Sequence, residues 1–382
     1  MSEIMIIAGE ASGDLHGAGL FRAMQQMAPE YHFCGMGGKS LKQQGVEIIV
    51  DAAKMAVVGI VEVLAHLKDI RAAMRTLEKR LRDKRPSLLI LIDYPDFNLI
   101  LAGKARKLGI PVFYYISPQV WAWRSGRIKK ISRLVDRMAV ILPFEKEFYH
   151  QHGMEVDYVG HPLMDSVKIS IEKKNFLQRH DIPADKILVG ILPGSRKKEI
   201  KTMLPIFLEA AKKLTDEHKE ILFLLPLAPT LSRADLDENG LRDVKFDIRV
   251  ISENRYDLMA ACDLALAASG TVTLELAILD VPMLVAYRLS PLTYFLGHRF
   301  IKVKYASLTN LIVNSEIVPE LLQDKAEADN IARELTSLLP GGKKRDRMLA
   351  GLSQVRARLG EGGASKRAAA LALETISLSK KC

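Results

Sequence analysis

Short apolar runs alternate with longer amphipathic segments along the chain, and this alternation constrains the fold more than any other feature. The run over 88–92 contains only Leu and Ile, and the run over 187–192 adds Val and a single Gly. Each is followed by a segment with apolar residues at helical spacing. Buried strands that alternate with helices are typical of βαβ units, which assemble into a parallel sheet. The sequence therefore predicts an α/β protein.

The order of these runs predicts two doubly wound, Rossmann-like domains. A charged stretch over 168–186 separates them, so we place the first domain at 1–165 and the second at 186–340. Strands are expected at 4–8, 31–34, 88–92, 112–115 and 138–142, and then at 187–192, 221–225, 248–251, 264–267 and 283–286. The tail, 341–382, predicts two further helices, over 344–359 and 365–378.

Composition and charge exclude several classes of protein. With 48% hydrophobic residues and no low-complexity tract, the 382-residue chain is globular. Its three cysteines are scattered, which argues against disulfides and a zinc site and suits a cytoplasmic protein. We find no signal peptide and no apolar run near the ~18 residues of a membrane span. The net charge of +10 suits phosphorylated ligands or an anionic membrane; without a recognisable nucleic-acid motif we expect no nucleic acid partner.

Ligands of parallel sheets bind where the strands end, so the loops after the apolar runs are candidate site segments. Gly13 and Asp14 lie in the first such loop, which can meet an anion or sugar; a plain turn with Asp14 as a helix cap fits equally well. Asp93 directly follows the run over 88–92. A carboxylate there can act as a general base or hold a sugar hydroxyl, whereas Asp96 is explained as a helix cap.

The segment over 117–124 contains both tryptophans of the chain. Gln119, Trp123 and Arg124 could frame a sugar and its phosphate, and cations continue through 127–133. Tryptophans packed in the core and a solvated basic helix face explain the same residues. Both interpretations stay open.

In the second domain, two loops carry groups suited to a nucleoside diphosphate. Gly194, Ser195 and Arg196 end the opening strand, where backbone N–H groups and a guanidinium can bind a diphosphate. A later helix begins with small and hydroxyl-bearing residues and has a carboxylate one turn further on, which can pair with ribose hydroxyls. These residues are Ser269, Gly270, Thr271 and Glu275.

The stretch over 55–67 is more apolar than one buried helix face requires. It contains Val61, Val63, Leu64 and Leu67, and cations follow it. A buried helix explains the stretch, but an apolar patch edged with cations could also seat the protein on an anionic membrane surface.

Eight motifs follow one another along the chain, at 9–14, 58–64, 93–98, 117–124, 142–145, 192–196, 268–271 and 307–310. In this order they resemble the lipid-A-disaccharide synthases, glycosyltransferases of lipid A assembly in Gram-negative bacteria. The resemblance implies a GT-B fold, with two Rossmann-like domains facing across a cleft and C-terminal helices packing back on the first. The sequence is also compatible with a homodimer whose protomers exchange their C-terminal tails.

The resemblance also implies the reaction and its substrates. UDP-2,3-diacylglucosamine would donate its sugar to the 6-hydroxyl of 2,3-diacylglucosamine 1-phosphate at the cytoplasmic leaflet of the inner membrane. An inverting transfer would give the β-1,6 disaccharide and UDP. No cofactor or metal is expected, because the matched motifs contain no Asp-x-Asp and Arg196 can meet the charge of the leaving group.

Carried onto this chain, the family's pattern makes Asp93 the general base on the acceptor. The diphosphate would be held by Ser195, Arg196, Ser269, Gly270 and Thr271, and the ribose by Glu275. Asn98 and Asn310 would face the cleft and the acceptor, although Thr309 replaces the usual proline before Asn310. His16 also departs from the family's pattern and receives no role.

Two other functions are compatible with parts of the sequence. One is another UDP-N-acetylglucosamine enzyme of the same fold, either a peptidoglycan-precursor transferase or a 2-epimerase; the epimerase needs no apolar acceptor patch. The other is a non-catalytic peripheral membrane protein, which leaves the placement of Asp93, Arg196 and Glu275 at strand ends or helix starts unexplained.

Overall fold

The computed structural model describes residues 2–52, 67–123, 125–289 and 303–379. Val61, Val63, Leu64 and Arg124 lie outside the described residues, and so does the side chain of Trp123. The chain divides into two compact units. One consists of Met1–Met164 with Glu361–Cys382, and the other of Asp165–Gly360.

Seven parallel strands form the sheet of the first unit. They are β1 (Glu3–Ala8), β2 (His32–Gly37), β3 (Glu47–Asp51), β4 (Leu88–Ile92), β5 (Val112–Tyr115), β6 (Arg137–Val140) and β7 (Asp157–Tyr158). Their order across the sheet is β3-β2-β1-β4-β5-β6-β7. The helices between them are α1 (Ala11–Met27), α2 (Lys39–Gln44), α3 (Leu67–Lys84), α4 (Pro95–Lys107), α5 (Val120–Trp123), α6 (Ile128–Leu134) and α7 (Pro143–Gln151). The short α8 (Leu163–Ser166) spans the boundary between the units.

The second unit has a six-stranded parallel sheet. Its strands are β8 (Ile187–Leu192), β9 (Ile221–Pro226), β10 (Ile248–Ile251), β11 (Leu264–Ala267), β12 (Met283–Tyr287) and β13 (Glu320–Leu322), in the order β10-β9-β8-β11-β12-β13. Its helices are α9 (Lys173–Arg179), α10 (Lys197–Glu217), α11 (Arg233–Asp237), α12 (Arg255–Ala261), α13 (Val272–Ile278), α14 (Leu308–Val313), α15 (Ala328–Leu338) and α16 (Lys343–Leu359). Both units are thus parallel α/β structures, as the sequence predicts.

Three strands were not predicted from the sequence, and all three lie at sheet edges. The residues of β3, β7 and β13 are half-buried or exposed. By contrast, every residue of β1 and β4 is buried. A central strand of a parallel sheet is covered on both faces and becomes a continuous apolar run, whereas an edge strand needs no such run.

The two helices of the tail belong to different units. α16 packs against α13 and α14 in the second unit, whereas the last helix, α17 (Ala364–Ser379), packs against α1 and β4 to β6 in the first. The expectation that both helices return to the first domain is therefore wrong for α16. α17 can lie close to α1 because the residues that it buries are mostly alanines. None of the described helices is both long and apolar enough to cross a membrane.

Candidate active site

The order in which strands are added to the first sheet reverses between β1 and β4. α/β proteins bind ligands at such switch points. β2 and β3 extend the sheet on one side of β1, while β4 opens the other side. Ala8 pairs with Ile92 at the carboxyl ends of these strands, and Ile92 pairs with Tyr115 of β5. The loops after the three strands therefore lie side by side, which brings Glu10 near Asp93.

Asp93 and Tyr94 make a sharp turn between β4 and α4. Both have left-handed backbone angles, with φ of 44° and 46°, which residues other than glycine rarely adopt. The Tyr94 ring packs onto Gly9, where a Cβ would fall 2.4 Å from Cδ1 of Tyr94. Position 9 thus requires glycine, and the turn leaves the half-buried carboxyl of Asp93 at the end of the sheet.

The surroundings of Asp93 suit it to proton transfer. Its pKa is raised to about 6, chiefly by burial and secondly by the negative charge of Glu10, while the backbone N–H of Tyr94 acts in the opposite direction. A carboxyl group with this pKa is deprotonated at neutral pH and still accepts a proton readily. These are the requirements for a general base.

Asp14 is a helix cap, one of the two roles that the sequence left open, although the helix it caps is α2. Its carboxylate is 5% exposed and accepts backbone N–H bonds from Gly38, Ser40 and Leu41, at 2.7, 2.8 and 3.2 Å. These N–H groups at the start of α2 would otherwise lack partners. At Gly13, α1 lies in contact with the ends of β1 and β4.

Asn98 faces the interior of the first unit instead of an acceptor. It is wholly buried in the first turn of α4, and its Nδ2 donates to the carbonyl oxygens of Ile92 and Asp93, at 3.2 and 2.6 Å. The expected contact with the acceptor is therefore replaced by support of the turn at Asp93.

The segment after β5 is tied to α7 by hydrogen bonds. Oγ of Ser117 lies 2.6 Å from the hydroxyl of Tyr149, and Nε1 of Trp121 donates to Glu145 at 3.2 Å. Glu145 is 1% exposed, and burial raises its pKa to about 7. Trp121 thus serves the packing of this segment, and Gln119 lies exposed beside it.

Several charged or titratable residues near these loops had received no binding role from the sequence. Asp96 is exposed at the start of α4 and forms an ion pair with Arg127. Burial lowers the pKa of His16 to about 4 and that of His161 to about 3, so both imidazoles are neutral at pH 7. The two histidines lie close enough for a charge on His16 to lower the pKa of His161.

The second sheet has its own switch point, between β8 and β11. Leu192 pairs with Ala267 at the carboxyl ends, so the loops over 193–196 and 268–271 are neighbours. The residues expected to hold a diphosphate lie in these two loops. They are Gly194, Ser195 and Arg196 in one loop, and Ser269, Gly270 and Thr271 in the other.

Glu199, which received no role from the sequence, occupies the N-terminus of α10. Its Oε2 accepts the backbone N–H groups of Ser195 and Arg196 at 3.0 and 3.2 Å, and its Oε1 accepts from Nη1 of Arg196 at 3.0 Å. The donors expected to bind a diphosphate therefore bind a carboxylate in this structure. The sequence did contain a signal for this role of Glu199, because a glutamate three residues after Arg196 has the spacing of a capping box.

Glu275 is buried in an ion pair. It is 4% exposed, and its Oε1 accepts from Nη2 of Arg255 at 2.6 Å. Burial raises the pKa of Glu275, while the charge of Arg255 opposes the shift. In the neighbouring loop, Ser269 donates to a backbone carbonyl at 2.9 Å, and Gly270 and Thr271 are exposed.

The side chain of Asn310 is enclosed within the second unit, whereas the resemblance led us to expect it at a ligand site. It is wholly buried, and its Oδ1 accepts the backbone N–H groups of Ile317 and Val318 at 2.9 and 3.0 Å. Its Nδ2 donates to the carbonyl of Val318 at 2.9 Å and to Glu320 at 2.7 Å. These bonds use both donors and both acceptor positions of the side chain, so Asn310 holds the chain between α14 and β13.

Among the described residues, Glu3, His32 and Glu47 form the grouping with the chemistry of a metal site. They begin β1, β2 and β3, so they lie at the end of the sheet opposite the switch-point loops. Arg80 already bonds Glu3 and Glu47. Arg80 thus balances the charges of these carboxylates, and the three residues are explained as part of an ion-pair cluster.

Solved structures confirm the fold class. A glycotransferase of kitacinnamycin matches with a TM-score of 0.66 and 14% identity over 98% of each chain. A UDP-GlcNAc 2-epimerase from Neisseria meningitidis matches with a TM-score of 0.63 and 16% identity, over 99% of this chain and 100% of that chain. Identities this low show the fold alone. With its two parallel-sheet units, the protein has the fold of the GT-B class.

Sequence comparison identifies the family within this class. A family model described as lipid-A-disaccharide synthetase matches residues 4–374. The lipid-A-disaccharide synthases of Geobacter sulfurreducens and Geobacter metallireducens are 47% and 46% identical over 98% of this chain and 97% of each relative. The chain therefore belongs to the lipid-A-disaccharide synthetase family and is a glycosyltransferase of lipid A biosynthesis. This confirms the resemblance and the enzyme class inferred from the sequence.

Replacing Asp14 tests its role as a cap. We expect Asp14→Ala to lower the free energy of unfolding by about 2 kcal/mol, because three backbone N–H groups lose their acceptor. Urea denaturation measures the change, with the exposed Asp83→Ala on α3 as the matched control. Unchanged stability together with weakened substrate binding would instead make Asp14 a ligand.

Proposed function

We propose that the enzyme transfers the sugar of UDP-2,3-diacylglucosamine to the 6-hydroxyl of 2,3-diacylglucosamine 1-phosphate. The products are the β-1,6 disaccharide 1-phosphate and UDP. The observation that carries this proposal is the half-buried carboxyl of Asp93, with its pKa raised to about 6, at the switch point of the first sheet. Membership of the family supports the class of reaction.

In the proposed mechanism Asp93 is the general base. The acceptor oxygen attacks the anomeric carbon of the donor while the bond from that carbon to UDP breaks, so the configuration inverts. The proton of the acceptor hydroxyl passes to the carboxylate of Asp93 and then to water. Burial and, secondly, the negative charge of Glu10 raise the pKa of Asp93, and both therefore make it a stronger proton acceptor.

The proposal assigns UDP to the loops at the switch point of the second sheet. A diphosphate at the start of α10 competes with the carboxylate of Glu199 for the N–H groups of Ser195 and Arg196. When the diphosphate displaces that carboxylate, the Arg196 guanidinium pairs with the diphosphate instead of Glu199. It then stabilises the negative charge of the departing UDP. In this structure the carboxylate of Glu275 bonds Arg255 and Tyr256, and we assign a ribose hydroxyl as its further partner when UDP is bound.

We also place the enzyme on the cytoplasmic face of the inner membrane, where acylated sugars reside. Leu67 of the proposed patch begins α3 and is half-buried. The exposed cations Lys68, Arg71 and Arg75 follow it on the same helix, and the chain has a net charge of +10. Such a combination favours contact with anionic lipid headgroups.

An assay of UDP release tests the substrates. We expect release from UDP-2,3-diacylglucosamine only when 2,3-diacylglucosamine 1-phosphate is present, because the acceptor oxygen is the nucleophile. UDP-N-acetylglucosamine is the control donor and should give none. Turnover of this control donor alone would favour the epimerase or peptidoglycan alternative, and no release from either donor would contradict the transferase.

Asp93→Asn separates the chemical step from donor binding. We expect transfer to be lost and the dissociation constant of UDP to stay unchanged, because the base acts on the acceptor. In the unaltered enzyme, kcat/KM should rise with pH and level off above about 6, since only the deprotonated carboxyl accepts the proton. Retained activity in Asp93→Asn would refute the assignment.

Arg196→Ala tests the donor site. Loss of a charge-assisted hydrogen bond costs about 1.5–3 kcal/mol, so the dissociation constant of UDP should rise by about 10- to 100-fold. Arg233→Ala is the matched control, because Arg233 is an exposed arginine in the same unit that pairs with Asp237. Calorimetric titration with UDP measures both variants, and equal weakening in the two would leave Arg196 no specific role.

A further inference from the structure

We infer that Asn98 and Tyr114 are positioning residues, which hold the carboxyl of Asp93 in place by fixing its backbone carbonyl. The inference rests on the proposed role of Asp93 as the base. It assigns neither residue a contact with substrate.

The turn at Asp93 adopts a backbone conformation that must be stabilised by its surroundings. Asp93 and Tyr94 both have left-handed backbone angles, which are unfavourable for residues other than glycine. Ile116, at the end of the neighbouring strand, is left-handed as well, with φ of 64°, and its carbonyl accepts the N–H of Asp93 at 3.3 Å. Strained residues at adjacent strand ends relax unless other groups fix them.

Two side chains bind one backbone oxygen at this turn. Nδ2 of Asn98 and the hydroxyl of Tyr114 each donate to the carbonyl oxygen of Asp93 at 2.6 Å. Both side chains are wholly buried, and each belongs to a regular element, α4 or β5. If the carbonyl turned away, two buried donors would lose this acceptor, which is unfavourable because buried donors need partners. The two hydrogen bonds therefore oppose relaxation of the strained turn.

These donors act at every pH relevant to the enzyme. Burial raises the pKa of Tyr114 well above its usual value, so the phenol keeps its proton, and the amide of Asn98 does not titrate. The other titratable groups near Asp93 and Tyr114 include Glu10 in the loop after β1, Tyr94 beside Asp93, Asp96 in α4, which is paired with Arg127, and Tyr149 in α7.

Release of the carbonyl has two measurable consequences. The carboxyl shifts relative to the reacting atoms, and a displacement of about 1 Å lowers the rate on the order of 100-fold. A released carboxyl also meets more water, which moves its pKa down from about 6 towards the ordinary value. The acid limb of the pH–rate profile then moves to lower pH.

Tyr114→Phe is the test, with Tyr115→Phe as the matched control. Tyr115 is equally buried and belongs to the same strand, but its side chain points to the opposite face of the sheet. For Tyr114→Phe we expect kcat to fall by about 10- to 100-fold, KM for both substrates to stay within about twofold and the acid limb to move to lower pH. Tyr115→Phe should leave all three unchanged.

A second measurement reports on the turn directly. Amide hydrogen exchange over 93–98 should accelerate in Tyr114→Phe and not in Tyr115→Phe, because only the former removes a tether. Asn98→Leu has nearly the same shape without the donor and should reproduce the loss of kcat. A lower melting temperature with an unmoved acid limb and unchanged exchange over 93–98 would overturn the inference, since it describes a packing role alone.

Asp93→Asn separates the two ways of failing. If Asp93→Asn keeps its activity, the proposed base and the inference fall together. If Asp93→Asn is inactive while Tyr114→Phe keeps the normal rate and pH profile, the inference alone is refuted. In the double variant Asp93→Asn/Tyr114→Phe we expect no loss beyond that of Asp93→Asn, because the tether acts only through the carboxyl.

Discussion

Each sheet is organised around two neighbouring central strands that are buried on both faces. β1 and β4 have this position in the first unit, and β8 and β11 have it in the second. Strands covered on both faces carry apolar side chains along their length, so polar groups are confined to the ends. The strand order reverses between the same two strands, and the loops there collect Glu10 and Asp93 in one unit and Ser269 in the other.

The same constraint explains how much of the fold the sequence predicts. The double burial of the central strands produces runs such as 88–92, which locate the strands and hence the switch points. β3, β7 and β13 have one neighbour each and partly exposed residues, so they leave no comparable run. The sequence also could not predict that the two helices of the tail belong to different units. Both α16 and α17 bury apolar faces, and an apolar face alone does not identify its partner.

At the level of single residues the sequence locates the loops but not the partners of their polar side chains. Asp14 and Asn310 lie in the first turns of α1 and α14, and each binds backbone groups of a segment that folds beside it. Backbone N–H groups must be paired wherever they are buried, and the nearest carboxylate or amide pairs them. Asp93 differs because two buried side chains bind its backbone carbonyl, while its carboxyl bonds the adjacent N–H of Tyr94 and lies at the end of the sheet, where we propose that it accepts a proton.

The return of α17 to the first unit bears on how the protein is made. The ribosome completes residues 1–164 early, but α17, which packs on α1 and on β4 to β6, is synthesised only after the whole of the second unit. Domains synthesised first usually fold first. Here the second unit is a contiguous segment and can fold on emergence, while the first unit keeps an apolar face uncovered until α17 has left the ribosome.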